Sequence, residues 1–179
     1  MIIGLSGYAQ SGKDTVAKYL VENHGFTRVA FADPIRTLLY TLNPLISGNS
    51  RLSDLVDEYG WEVSKQTPEV RRLLQELGVG ARKVFGEGFW VHQAMKTMLD
   101  EPRLDLKYVI TDVRFFNEAD MVRANGGQIW RVERTGVEAV NSHVSEHDID
   151  NWDFDAYLHN NSTLEDLEFA VKVRLMASI

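Results

Sequence analysis

An α/β fold with a mostly parallel, five-stranded sheet flanked by helices is predicted by three features of the chain. A glycine-rich turn joins an apolar strand to an amphipathic helix within residues 1–24. Short apolar runs then alternate with helical periodicities as far as residue 175. Helix start and stop residues punctuate them. No internal repeat, low-complexity tract or linker breaks this order, so a single domain over residues 1–179 is expected.

The first strand opens on Met1, Ile2 and Ile3. The helix from Lys13 turns Val16, Ala17, Leu20 and Val21 inward and stops at Asn23-His24-Gly25. Residues 26–31 read as the second strand, and the next helix has Asp33 as N-cap, Pro34 at its first position and Arg36 in its first turn. Pro44, Gly48, Asn49 and Ser50 predict a loop, and Leu52, Leu55, Val56 and Tyr59 a short helix ending at Gly60. Thr67-Pro68-Glu69 starts a helix with an apolar stripe of Val70, Leu73, Leu74 and Leu77, which runs to Gly78. Residues 87–99 read as helical, with Trp90, Val91, Ala94, Met95 and Met98 facing the core and Pro102 marking the end. Beside Phe89 and Val91, Trp90 reads as a core residue rather than a base-stacking one.

Residues 107–112 form a strand that ends in Asp112, a carboxylate at the strand end where open α/β sheets bind ligands. Residues 115–124 are a helix stopped by Gly126-Gly127, residues 128–132 a strand and residues 154–158 the last strand. Thr163 caps a closing helix with Leu164, Leu167, Val171 and Leu175 inward.

The chemistry concentrates first in the N-terminal turn. From Gly7 the spacing reads GxxxxGK, with Gly12 and Lys13 in register; Asp14 stands where Ser or Thr is expected, and the hydroxyl follows at Thr15. Glycine lets such a loop turn its backbone N–H groups inward around a polyphosphate, and the helix N-terminus behind it favours an anion. Lys13 would reach the terminal phosphates as a mobile point charge. Asp14 has two readings: it holds Mg²⁺, directly or through water, while Thr15 Oγ meets a phosphate oxygen, or it simply caps the helix. Asp112 likewise reads as a second acidic element that orders Mg²⁺, or as a cap. Arg114 and Glu118 are spaced for a structural ion pair. Arg131 and Arg134 precede a polar stretch over residues 135–148 that reads as a lid, the kind of element that brings arginines to a transferring phosphoryl group. His143 and His147 read as hydrogen-bonding lid residues rather than a metal pair.

Composition removes several alternatives. With 19 Lys and Arg against 26 Asp and Glu, and a net charge of −7, broad binding to a nucleic-acid polymer is excluded. No cysteine is present, which rules out disulfides and thiolate metal sites. The absence of a long apolar run or signal-like start predicts no membrane partner and a cytoplasmic location. Neither a nucleophile elbow nor a glycosidase-type carboxylate pair stands out.

Four patches are similar to the deoxynucleoside monophosphate kinases of tailed bacteriophages, relatives of phosphomevalonate kinase and dephospho-coenzyme A kinase. They are Gly4-Leu-Ser-Gly-Tyr-Ala-Gln-Ser-Gly-Lys-Asp-Thr15, Phe31-Ala-Asp-Pro-Ile-Arg36, Thr111-Asp-Val-Arg-Phe-Phe-Asn-Glu118, and Arg131-Val-Glu-Arg134 with His143-Val-Ser-Glu146. The Gly-Lys-Asp-Thr form of the first is typical of that group. The resemblance implies a P-loop NTPase fold with acceptor-binding helices and a lid over about residues 134–148. It implies ATP on Gly7, Ala9, Gln10, Ser11, Gly12, Lys13, Asp14 and Thr15, with Mg²⁺ held by Asp14, Thr15 and Asp112. Catalytic roles fall to Lys13, Arg36, Arg131 and Arg134. The deoxynucleoside monophosphate (dNMP) acceptor falls to Asp33, Arg36, Arg71, Gln75, Arg82, Asp112, Arg114, Glu118, His143 and Glu146.

The partners implied are thus two small molecules, with a homodimer left open and the host cytoplasm as location if the chain is phage-encoded. A kinase for another small phosphorylated acceptor, such as a ribonucleotide or phosphomevalonate, is the nearest rival. A nucleotide switch or non-catalytic nucleotide-binding module is the rival from another class, and the chain has no Asn-Lys-x-Asp segment to read guanine.

Overall fold

The computed structural model describes residues 1–99, 106–139 and 147–178. In chain order its elements are β1 (Ile2–Ser6), α1 (Lys13–His24), β2 (Phe26–Val29), α2 (Ala32–Leu42), β3 (Leu45–Ser47), β4 (Ser50–Arg51) and α3 (Leu52–Ser64). There follow α4 (Pro68–Phe85), α5 (Phe89–Leu99), β5 (Lys107–Ile110), α6 (Phe116–Ala124), β6 (Gln128–Glu133), β7 (Ala156–His159) and α7 (Leu164–Met176). They divide into two compact units, one of residues 1–30 with 94–179 and one of residues 31–93.

The first unit is built on a five-stranded sheet in the order β2-β5-β1-β6-β7. Every neighbouring pair in it is parallel. β1 is central and buried on both faces: Ile3 and Leu5 are fully buried in one core cluster with Val16, Leu20, Val109, Trp130, Val132 and Val171, and on the other face Ile129, Val113 and Val122 close over Gly4. Each such side chain contributes roughly 1.5–3 kcal/mol relative to exposure. The chain leaves β1 toward β2 on one side and later crosses from β5 to β6 on the other, so the C-terminal end of β1 is a switch point of the kind that binds ligands. α1 ends at Gly25, whose φ of 69° closes the helix as expected. Thr163 caps α7, accepting a hydrogen bond from Asp166 N–H.

Some inward positions were overdrawn by periodicity. Val21 and Leu164 are exposed, at the last turn of α1 and the first position of α7, where a helix has moved past the layer it packs on.

The second unit is helical, with a core of Leu39, Leu52 and Val70 against which Ile46, Val56, Trp61, Leu73, Leu74 and Leu77 pack. α2 starts at Ala32, so Asp33 lies inside the first turn rather than at the N-cap. A carboxylate there still meets the positive end of the dipole, and Pro34 loses nothing by lacking an N–H in that turn. The expected loop before α3 contains a hairpin, β3–β4, turning through Gly48 at φ 55°. The helix expected to end at Gly60 breaks there, with φ 73° and ψ 166°, and then resumes to Ser64. α4 runs past Gly78 to Phe85. Gly78 serves contact rather than termination: Ile35 Cδ1 would lie 3.3 Å from a Cβ at that position. Its carbonyl also accepts the Trp90 indole N–H at 2.8 Å, which satisfies that buried side chain as a core residue.

Candidate active site

The turn between β1 and α1 has backbone geometry that only its own sequence supports. Gly7 has φ 140° and Gly12 φ 109°, and Gln10 adds a non-glycine φ of 66°. A Cβ on Gly7 would stand 2.3 Å from the Val132 carbonyl oxygen, and one on Gly12 would stand 2.4 Å from Asn160 Nδ2. The loop is therefore packed directly onto β6 and onto the residue after β7. Asn160 fastens it: its N–H donates to Glu133 O at 2.7 Å, and its Nδ2 to Ser11 O at 2.9 Å. Lys13 Nζ folds back and donates to Gly7 O and Tyr8 O, both at 2.6 Å.

Among the described residues no side chain caps α1; its N-cap is Gly12. The cap reading of Asp14 is thus not realised, and Asp14 lies exposed in the first turn with Thr15 half-buried beside it. The first-turn N–H groups lack intrahelical acceptors, which is what an anion uses. Ser11 Oγ is buried with no hydrogen-bond partner among the described residues. It lines a cavity of about 240 Å³ together with Tyr8, Arg131, Arg134, Val137, His159 and Asn161. Ala9 and Gln10 complete the outer turn, half-buried and exposed respectively.

Asp112 is the second residue past the end of β5. Thr111 N–H donates to Val29 O and Val113 N–H to Leu5 O, at 3.1 and 3.0 Å, which carries Asp112 to the root of the loop beside β1. Glu118 is buried at 3% exposure, and its Oε2 accepts the backbone N–H groups of Arg114 and Phe115 at 2.8 and 3.1 Å. Two backbone N–H groups at the start of α6 thus share one of its oxygens.

The two arginines expected to act together are treated differently. Arg131 is buried, and its guanidinium bonds Asp150 Oδ1 at 2.9 Å and Ser6 Oγ at 3.2 Å. It also lies over the rings of Tyr8 and Phe154, at 4.8 and 5.4 Å. Arg134 is exposed at the cavity and forms no ion pair among the described residues. Asp150 also accepts the Tyr8 O–H at 2.8 Å and lies 3.1 Å from His147 Nδ1. Burial pushes the Asp150 carboxyl up, but the bonds from Tyr8, His147 and Arg131, with the Arg131 charge, outweigh it and hold the group below the ordinary aspartate range. Burial, then the bond to Asp150 and its charge, push the Tyr8 phenol up, so it stays a donor.

In the second unit Arg36 is mostly covered, with Nη2 3.4 Å from Glu62 Oε1 and its guanidinium 5.8 Å from the Trp61 ring centroid. Arg71, Gln75 and Arg82, half-buried, recur on one face of α4 by their spacing, the face that also holds Gly78. Asp33 lies one turn before Thr37, whose hydroxyl bonds its carbonyl at 3.0 Å. His143 and Glu146, with the middle of the expected lid, lie outside the described residues.

Tyr8, Asp150, Asn160 and Asn161 were not singled out from sequence. Asn160-Asn161 had a usable signal, a polar pair just past the end of a sheet strand, where parallel sheets bind ligands. Asp150, 142 residues from Tyr8, had none.

A family model described as Deoxynucleotide monophosphate kinase matches residues 55–171. A protein of Acanthamoeba polyphaga mimivirus that carries this family's name is 30% identical over 188 residues, which cover 93% of this chain and 91% of that protein. The deoxynucleotide monophosphate kinase of Escherichia phage RB69 is 31% identical over 103 residues, 56% of this chain but only 42% of the phage protein. Among solved structures, the dephospho-CoA kinase from Campylobacter jejuni superposes with a TM-score of 0.53 at 11% identity, over 99% of this chain and 96% of that one. That likeness is one of fold, the P-loop kinase fold expected above. The family match spans well over half of the residues and runs through both compact units, so the chain belongs to the deoxynucleotide monophosphate kinase family.

Proposed function

We propose that this chain transfers the γ-phosphoryl group of ATP to the 5′-phosphate of a dNMP, giving ADP and a deoxynucleoside diphosphate. The observation that carries the reading is the loop between β1 and α1: two glycines that tolerate no Cβ, an N-terminus without a side-chain cap, and Lys13 folded onto the loop's own carbonyls. Such a loop is built for a polyphosphate. The neighbouring cavity, with the orphaned Ser11 hydroxyl on its wall, has room for the nucleoside end of the same ligand.

In this reading an oxygen of the acceptor phosphate attacks the γ-phosphorus in line, a new P–O bond forms, and the bond to the β–γ bridging oxygen breaks as ADP leaves. The acceptor is already an anionic nucleophile, so the protein aligns two anions, screens their repulsion and excludes water. Lys13 leaves its carbonyl partners for the phosphates. Arg134 supplies further charge, and Arg36 with the Arg71, Gln75 and Arg82 face of α4 binds the acceptor phosphate. Arg131 acts at one remove, since its guanidinium is engaged by Asp150 and Ser6.

The donor set near the loop fits Mg²⁺: Asp14, Thr15 and Asp112 offer hard oxygens, the donor type that ion takes. When bound, the ion would neutralise charge on the phosphate oxygens. Among the described residues no helix is long and apolar enough to cross a membrane, and the small-molecule partners proposed need none. The viral relatives favour a host cytoplasm as the working compartment.

The test is to incubate the protein with ATP, Mg²⁺ and each deoxy- and ribonucleoside monophosphate in turn, and to identify products by mass spectrometry. A deoxynucleoside diphosphate formed together with ADP, and only when acceptor is supplied, is the expected result. Turnover of a non-nucleotide acceptor alone would overturn it.

A further inference from the structure

The phosphate loop carries one aromatic side chain, Tyr8, which lines the cavity while its hydroxyl is bonded within the protein. Its hydroxyl donates to Asp150 Oδ2 at 2.8 Å, and its ring lies on the Arg131 guanidinium at 4.8 Å. Arg131 in turn bonds the other Asp150 oxygen at 2.9 Å. Tyr8, Asp150 and Arg131 therefore form a closed triangle in which each group touches the other two. His147 flanks it, with its ring 6.2 Å from that of Tyr8 and Nδ1 3.1 Å from Asp150 Oδ2.

The backbone of Tyr8 explains why this matters to a ligand. Its carbonyl accepts both Lys13 Nζ at 2.6 Å and Ser11 N–H at 3.2 Å. Fixing the Tyr8 side chain thus fixes the acceptor that shapes the loop internally and parks its lysine. The choice of anchor is also electrostatically quiet. A lone carboxylate near an anion site would repel phosphate, but Asp150 is neutralised by Arg131, so the pair holds the loop without adding net charge.

We propose that Asp150 is a positioning residue for the phosphate loop, acting through the Tyr8 hydroxyl to hold the loop in its triphosphate-binding shape. This rests on the ATP reading above. Asp150 touches no substrate; its effect appears in donor affinity, because loop shape sets how many backbone N–H groups meet the phosphates at once.

Tyr8→Phe is the clean variant, since it keeps the ring on Arg131 and removes only the hydroxyl. Asp150→Asn is the second; it leaves a buried arginine without its counter-charge and is read together with its melting temperature. ATP·Mg binding is measured by calorimetry for wild type and both variants, with steady-state kinetics alongside. The expected result for Tyr8→Phe is an ATP Kd and KM raised about three- to tenfold, with kcat at saturating ATP and the acceptor KM within about twofold of wild type. Wild type that binds ATP while Tyr8→Phe binds it equally well overturns the positioning role alone. A lowered melting temperature with unchanged ATP affinity does the same, because it assigns the triangle to stability only. Wild type that binds no ATP overturns both this role and the nucleotide reading.

Discussion

In the phosphate loop Lys13 and Asn160 bond carbonyls of the loop itself, those of Gly7, Tyr8 and Ser11, and the Tyr8 hydroxyl bonds the partly buried Asp150. In residues 31–93 Arg36 and Arg72 are instead held by carboxylates near the surface, Arg36 by Glu62 and Arg72 by Glu69 and Glu76. The first pattern fixes a shape in advance. The second holds cations in pairs worth about 0–1 kcal/mol each, so a phosphate can displace the carboxylate at little cost. A donor site built rigidly and an acceptor site built from exchangeable pairs would respond to mutation in different ways.

The largest effect is expected at the rigid end. Lys13→Ala should lower turnover on the order of a hundredfold or more while the melting temperature stays near wild type, since its bonds to the Gly7 and Tyr8 carbonyls lie within the loop. Initial-rate assays at saturating substrates measure it, and a nearly normal rate would remove Lys13 from the mechanism.

Glycine substitution compares the two units directly. Gly7→Ala places a Cβ 2.3 Å from the Val132 oxygen at φ 140°, so it should cost about 2–4 kcal/mol and abolish measurable ATP binding. Gly60→Ala also sits at positive φ, 73°, in a glycine-only region at ψ 166°, but meets nothing within 4 Å, and should cost about 1–3 kcal/mol with ATP affinity intact. Denaturant melts and calorimetry on both variants make the comparison; equal losses would mean that the loop is no tighter than an ordinary bend.

The same contrast explains what was legible in the sequence. The loop could be read because its constraint is local: Gly7, Gly12 and Lys13 each occupy a position whose φ angle or reach is fixed within seven residues. The five sheet strands could be read because both faces of the sheet are covered and their apolar runs show it. The hairpin at Leu45–Ser47 and Ser50–Arg51 was hidden, since two strands so short and exposed leave no alternation to read. Gly78 shows in the sequence only as the end of an apolar stripe, because its use, room for Ile35 and a carbonyl for Trp90, depends on residues outside α4. Spacing reveals that Glu118 faces Arg114, but not that the backbone N–H groups of Arg114 and Phe115 share one of its oxygens. Asp150 could not be read from spacing, since its partners Tyr8 and Arg131 lie 142 and 19 residues away.

Acceptor-side arginines come next in size. Arg36→Ala should raise the dNMP KM about tenfold and leave the ATP KM unchanged, with stability altered by less than about 1 kcal/mol because the Glu62 partner is exposed. Arg72→Ala, on the exposed side of α4 between Glu69 and Glu76, should change neither KM. A parallel rise in both substrates' KM for Arg36→Ala would break the division between donor and acceptor roles.

The smallest expected effect is a pH dependence that differs between the two units. Asp150 and Glu62 both titrate below their ordinary values, and in both burial acts in the opposite direction but is outweighed by hydrogen-bonded cations. For Asp150 the Tyr8 phenol adds to this, and for Glu62 the cations are Lys65 and Arg36. A carboxyl whose folded value is depressed stabilises the protein above its unfolded value, 3.8 for Asp150, and that stability drains away as pH falls through the folded value. Asp150 is one-quarter exposed and its arginine one-tenth, whereas the Glu62 side chain is 68% exposed and screened by solvent. Denaturant unfolding from pH 7 down to about pH 3 should therefore show the wild-type loss of stability flattened by Asp150→Asn and barely changed by Glu62→Gln. If Asp150→Asn ran parallel to wild type across that window, the triangle under the phosphate loop would be no more strongly coupled than a surface pair, and the contrast between the two units would fail at its most sensitive point.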